Sequence, residues 1–197
     1  MSAIELSSPR SLSQTLAHSF LNILGWKVEA NLPPTSKYVM IGAHHTSNID
    51  FPLTLLVTSA MGIKLNWIGK DSLFRRPFGG LMRSLGGIPV DRFTHNKFVD
   101  QMIAAFHKHP EFVVAISPEG TRKKTDYWRT GFYYIALGAK VPIALAYLDY
   151  RRKVGGIGTS LMPSGDIQAD MDQIREFYVD VTGKFPHQQG EVQIRPR

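Results

Sequence analysis

Apolar residues along the chain cluster in two textures. Short, almost continuous apolar runs at 38–41, 65–68, 87–91, 112–116 and 141–148 read as buried strands. Between them the apolar positions adopt helical spacing. Segments 51–61, 77–85 and 132–137 predict helices, as does the stripe Phe98, Met102, Ala105 and Phe106. Met171, Ile174, Phe177 and Val181 predict a last amphipathic helix. Strands that are apolar at successive positions need cover on both faces, which is the habit of parallel sheets. The expected fold class is therefore α/β: a single mixed, largely parallel sheet flanked by helices, with a short N-terminal helical appendage.

That appendage has its own pattern. Leu12, Leu16, Phe20, Ile23, Leu24 and Trp26 recur near helical spacing, with Ser11 placed to cap the start and Gly25 to mark the end. Such a helix either packs on the domain or lies in a bilayer interface. Pro33-Pro34-Thr35-Ser36 reads as a linker, giving an appendage at 1–32 and a main domain at 33–197. No run approaches the roughly 20 apolar residues of a spanning helix. The longest, 51–63, is interrupted by Pro52, Thr54, Thr58 and Ser59. No secretory pattern opens the sequence, so a cytoplasmic location is expected.

Composition narrows the chemistry. The 197 residues suit one domain, and the absence of cysteine excludes disulfides, thiolate metal sites and cysteine nucleophiles. Lys and Arg number 23 against 16 Asp and Glu, for a net charge of +7. That balance favours nucleic acid, phosphorylated small molecules or an anionic membrane. Nucleic acid is disfavoured, because no nucleic-acid fold motif is present and Trp67, Trp128 and Tyr133 read as core aromatics.

In parallel α/β sheets, functional residues gather on loops after strand carboxyl ends. Three loops qualify. The first, 42–50, holds His45 and Asp50 five positions apart. A carboxylate at the start of the next helix would reach His45 Nδ1, fix its tautomer and leave Nε2 free as a general base. The second, 86–92, ends on Arg92, whose guanidinium suits phosphate. The third, Ser117-Pro118-Glu119-Gly120-Thr121-Arg122, offers a carboxylate, a glycine for close backbone approach and another arginine. Each loop alone has an ordinary structural explanation; their conjunction at one sheet edge points to a site.

Those three loops and the segment 141–145 resemble, in order, the four blocks of the 1-acyl-sn-glycerol-3-phosphate acyltransferase (lysophosphatidate acyltransferase) family, in its small bacterial type without spanning helices. His44-His45-x4-Asp50 matches the first block, 86–92 the second, 117–123 the third and 141–145 the fourth. His44 stands where the family block has Asn, Ser117 where it has Phe, Lys123 where it has Ser, and Leu145 where it has Pro. The resemblance implies an O-acyltransferase. A fatty acyl group would pass from acyl-CoA or acyl carrier protein, as co-substrate without a cofactor or metal, to a hydroxyl of a glycerol-phosphate-like lysophospholipid. His45 and Asp50 would be catalytic. Arg92, Glu119, Gly120, Thr121 and Arg122 would bind the acceptor, and Pro142 with its strand would shape a pocket. With Arg75, Arg76, Arg151, Arg152 and Lys153 forming a basic face, the protein would sit peripherally on the cytoplasmic side of an anionic membrane. The alternatives are an acyl thioesterase or an acyltransferase for a non-phospholipid acceptor. A metal hydrolase using His44, His45 and Asp50 with His95, or with His107, His109 and Glu111, lacks a His-Glu-x-x-His motif.

Overall fold

A computed structural model describes residues 11–90 and 95–196. The chain runs α1 (Leu12–Ile23), β1 (Lys27–Ala30), β2 (Lys37–Gly42), α2 (Asp50–Ala60), β3 (Leu65–Lys70), a 3-10 turn at Asp71–Phe74, α3 (Gly79–Ser84) and β4 (Gly87–Val90). It continues through α4 (His95–Lys108), β5 (Phe112–Ile116), α5 (Gly131–Ala139), β6 (Ile143–Asp149), β7 (Val154–Leu161) and α6 (Ile167–Tyr178). These strands form one seven-stranded sheet in the order β1-β7-β6-β2-β5-β3-β4. All neighbours are parallel except β6 and β7, which form an antiparallel hairpin. The expected mixed, largely parallel sheet flanked by helices is present.

Side-chain alternation along the central strands builds two cores, one on each face. Val39 and Ile41 of β2, Val114 of β5, and Ile143 and Leu145 of β6 pack with residues of α4, α5 and α6. Tyr38 and Met40 of β2, Val113 of β5, and Ala144, Ala146 and Leu148 of β6 pack with α1 and α2. Burial on both faces explains why the strands read as unbroken apolar runs.

The N-terminal helix forms for the reasons its sequence gives. Ser11 Oγ accepts the Gln14 N–H at 3.3 Å while Gln14 Oε1 accepts the Ser11 N–H at 2.7 Å, a reciprocal capping box. At the other end Gly25 takes φ +76°, and Trp26 N–H closes on Leu21 O at 2.8 Å, a Schellman stop. Residues 27–30, which the sequence assigns to the appendage, form the edge strand β1 against β7. The helix therefore connects directly into the sheet and packs its Ala17 and Leu21 against the α2 core.

Candidate active site

Loop 43–49, between β2 and α2, is organised around one carboxylate. Asp50 opens α2 and is buried, with 6% of its side chain exposed. Its Oδ2 accepts N–H groups from Thr46 at 2.9 Å and Ser47 at 2.8 Å, curling the loop over the helix start. The same oxygen lies 3.1 Å from His45 Nδ1. The five-residue separation thus closes as the sequence spacing requires. The other oxygen, Oδ1, accepts the Tyr150 hydroxyl at 2.7 Å. Burial opposes ionisation of Asp50, but hydrogen bonds from His45, Tyr150 and the Ser47 N–H outweigh it and hold the carboxyl below its ordinary range. A negative charge at a helix N-terminus is further favoured by the helix dipole. His45, with 29% of its side chain exposed, is anchored through Nδ1.

Glu119 ties the third loop to the first. Its Oε2 accepts the His45 backbone N–H at 2.7 Å. Its Oε1 lies 3.3 Å from His44 Nδ1, within ion-pair distance but without hydrogen-bond alignment. Both His44 and Glu119 are buried. The sequence expectation gives Glu119 to the acceptor; in the structure both its oxygens face the loop that carries His44 and His45. Gly120 adopts φ +64°, a conformation that favours glycine, and a Cβ there would stand 2.9 Å from Arg129 Nε and require that side chain to shift. Thr121 and Arg122 follow on the exposed side of this turn. Arg92 lies outside the described residues.

A cavity of about 190 Å³ opens beside the dyad and runs between α2 and the sheet. His44, His45, Asp50 and Ser117 line its polar end, and Met40, Val57, Met61, Leu65, Trp67 and Leu148 its apolar remainder. Its sheet floor includes Gly42, Ala115, Ala146 and Gly156. These small residues leave the space beneath α2 unfilled by side chains. Pro142 does not line the cavity; β6 contributes through 146–148 instead, because Pro142 precedes the strand at the opposite end from the loops.

The C-terminal region closes over the loops. Phe185 N–H donates to Thr46 Oγ1 at 3.1 Å. The Gln188 amide, oriented with its nitrogen toward two carbonyls, donates to Arg122 O at 2.6 Å and Thr46 O at 3.2 Å. Tyr150, Arg129 and Gln188 carry no motif in the sequence; Tyr150 and Gln188 reach the site only through the β6–β7 turn and the chain after α6. Among the described residues there is no group of three or more His, Asp or Glu side chains placed to hold a metal. His107, His109 and Glu111 lie on exposed surface near the start of β5, at the opposite end from Ser117. Trp67, Trp128 and Tyr133 are buried core residues.

The family model described as acyltransferase matches residues 26–147, more than half of the chain. No curated protein matches. Among solved structures, the 1-acyl-sn-glycerophosphate (LPA) acyltransferase PlsC from Thermotoga maritima is similar, with a TM-score of 0.57 at 17% identity. The likeness covers 86% of this chain and 80% of that one, and it shows a common fold.

Proposed function

We propose, since this chain belongs to the acyltransferase family, that it transfers a fatty acyl group from an acyl thioester to a hydroxyl of a lysophospholipid with a glycerol-phosphate-like head. The observation that carries this is the His45–Asp50 pair set at the polar end of an apolar cavity. The thioester is that of acyl-CoA or acyl carrier protein.

The chemistry follows from the geometry. With Nδ1–H donated to Asp50, His45 Nε2 carries the free lone pair and takes the proton from the acceptor hydroxyl. The acceptor oxygen attacks the thioester carbonyl and forms the new C–O bond. The tetrahedral intermediate collapses with cleavage of the C–S bond, and the imidazolium returns its proton to the departing thiolate. Asp50 stabilises the imidazolium while it exists. The acyl chain occupies the cavity beneath α2, among Met40, Val57, Met61 and Trp67. Arg122 and the Gly120–Thr121 backbone, on the turn that Glu119 holds, receive the acceptor phosphate together with Arg92.

Such substrates are delivered from a membrane surface. Among the described residues no helix is long and apolar enough to cross a bilayer. The outer face of α1 instead exposes Leu12 (76%), Leu16 (61%), Phe20 (51%) and Ile23 (82%). With the net charge of +7, this supports peripheral docking on an anionic leaflet, the cytoplasmic one in a cell.

The test is thiol release from acyl-CoA and from acyl carrier protein thioesters, with and without a panel of lysophospholipids and other hydroxyl acceptors. Release that requires a phosphate-bearing lysophospholipid is expected. Release independent of acceptor would make the protein a thioesterase, and release only with acceptors lacking phosphate would overturn the acceptor assignment.

A further inference from the structure

Asp50 is held from two sides, and only one of them belongs to the loop that carries His45. On Oδ2 it meets His45 and two backbone N–H groups. On Oδ1 it meets a single side chain, Tyr150, which enters from 100 residues away. Tyr150 lies beyond the end of the matched family region, in the turn that joins β6 to β7. Its placement is itself braced. The backbone N–H donates to Thr182 O at 2.8 Å, and the ring meets Trp26 edge-on with centroids 5.1 Å apart. Trp26 in turn closes the stop of α1. Burial and the adjacent carboxylate keep the Tyr150 phenol above its ordinary range, so the hydroxyl remains a donor throughout the range in which an acyl thioester survives.

We propose that Tyr150 is a positioning residue for the acyl-transfer reaction: its hydroxyl fixes the Asp50 carboxylate in the plane and rotamer that align His45. The proposal rests on the reading of His45 and Asp50 as the catalytic pair. A carboxylate anchored through one oxygen can turn about its χ2 axis and tilt the imidazole with it. A donor on the second oxygen removes that freedom, and a hydrogen bond to an ionised acceptor is among the strong ones. Tyr150 does not line the cavity and meets the pair only through Asp50, so its contribution falls on turnover and leaves substrate binding alone.

Tyr150→Phe keeps the ring against Trp26 and deletes only the hydroxyl. It is compared with Asp50→Asn and with the double variant in the same acceptor-dependent assay, with a melting curve for each. The expected result is a fall in kcat of about tenfold with KM for donor and acceptor within twofold. In the Asp50→Asn background the same change should cost nothing further, because the group it positions is already gone. Wild-type kcat in Tyr150→Phe would overturn the role. So would a loss carried by KM, an additive effect in the double variant, or a Tyr150→Phe chain that does not fold, each of which gives Tyr150 a general structural part. Asp50→Asn with undiminished turnover would overturn the catalytic pair itself, an outcome distinct from the failure of Tyr150 alone.

Discussion

At the residue scale, the site is a carboxylate that gathers a loop and a second carboxylate that latches it. Asp50 collects Thr46, Ser47 and His45, while Glu119 takes the His45 N–H from across the sheet edge. The first arrangement was legible in the sequence because it is local: five positions and a helix start suffice to bring His and Asp together. The second was not legible: the resemblance assigned Glu119 to the acceptor, and no spacing tells that residue 119 meets residue 45. Tyr150, further still along the chain, had no signal at all. The latch has a measurable consequence. Glu119→Ala leaves the half-buried His45 N–H without its acceptor, and about 1 kcal/mol of stability should be lost. Turnover should fall by more than the lost stability explains, because the released loop carries the base. Thermal denaturation and kcat, measured on the same preparation, check this; unchanged kcat would mean that the loop holds its shape without Glu119.

At the scale of elements, the decisive relation is between α2 and the sheet beneath it. Helix α2 contributes Asp50 at its start, which holds His45 of the preceding loop, and the roof of the cavity along its length. The sheet contributes the space, because Gly42, Ala115, Ala146 and Gly156 present little or nothing under the helix. The buried strands were readable from their apolar runs. The edge pair β1 and β7 was not, for physical reasons: β1 reads Lys-Val-Glu-Ala and is mostly exposed, and β7 has three glycines in its first five residues. Neither carries the apolar run of a strand covered on both sides. The cavity floor predicts chain-length behaviour. Ala115→Leu extends a side chain into the free space and should shift the preference of kcat/KM toward shorter acyl thioesters. Comparison across a series of saturated acyl-CoAs checks it, and an unchanged length profile would place the acyl chain elsewhere.

At the scale of the whole molecule, the two faces of the sheet have different duties. The face covered by α4, α5 and α6 is a closed core. The face covered by α1 and α2 holds the cavity and is overlain by a helix whose outer side is apolar and exposed. Sequence periodicity left open whether that helix packs or lies on a membrane. The structure has it packing through Ala17 and Leu21 while Leu12, Leu16, Phe20 and Ile23 stay outside, so packing does not consume the apolar face. Two of the cations expected on a basic face have local carboxylate partners: Arg152 pairs with buried Asp149 at 2.5 Å, and Arg75 with Asp71 at 3.2 Å. The apolar stripe therefore carries more of the docking account than the charges do. Leu16→Gln with Phe20→Gln should weaken sedimentation with phosphatidylglycerol vesicles at least tenfold and leave the melting temperature unchanged. Full retention on vesicles would remove α1 as the docking element.

The central claim is that His45 is the base that makes the acceptor nucleophilic. Its most direct test is a single-turnover measurement of acyl transfer to lysophosphatidate, with enzyme in excess over acyl-CoA, comparing wild type with His45→Ala. The account predicts a fall in the transfer rate of about a hundredfold to ten-thousandfold, the usual worth of a positioned general base, with donor binding retained. A His45→Ala rate within a fewfold of wild type would contradict it.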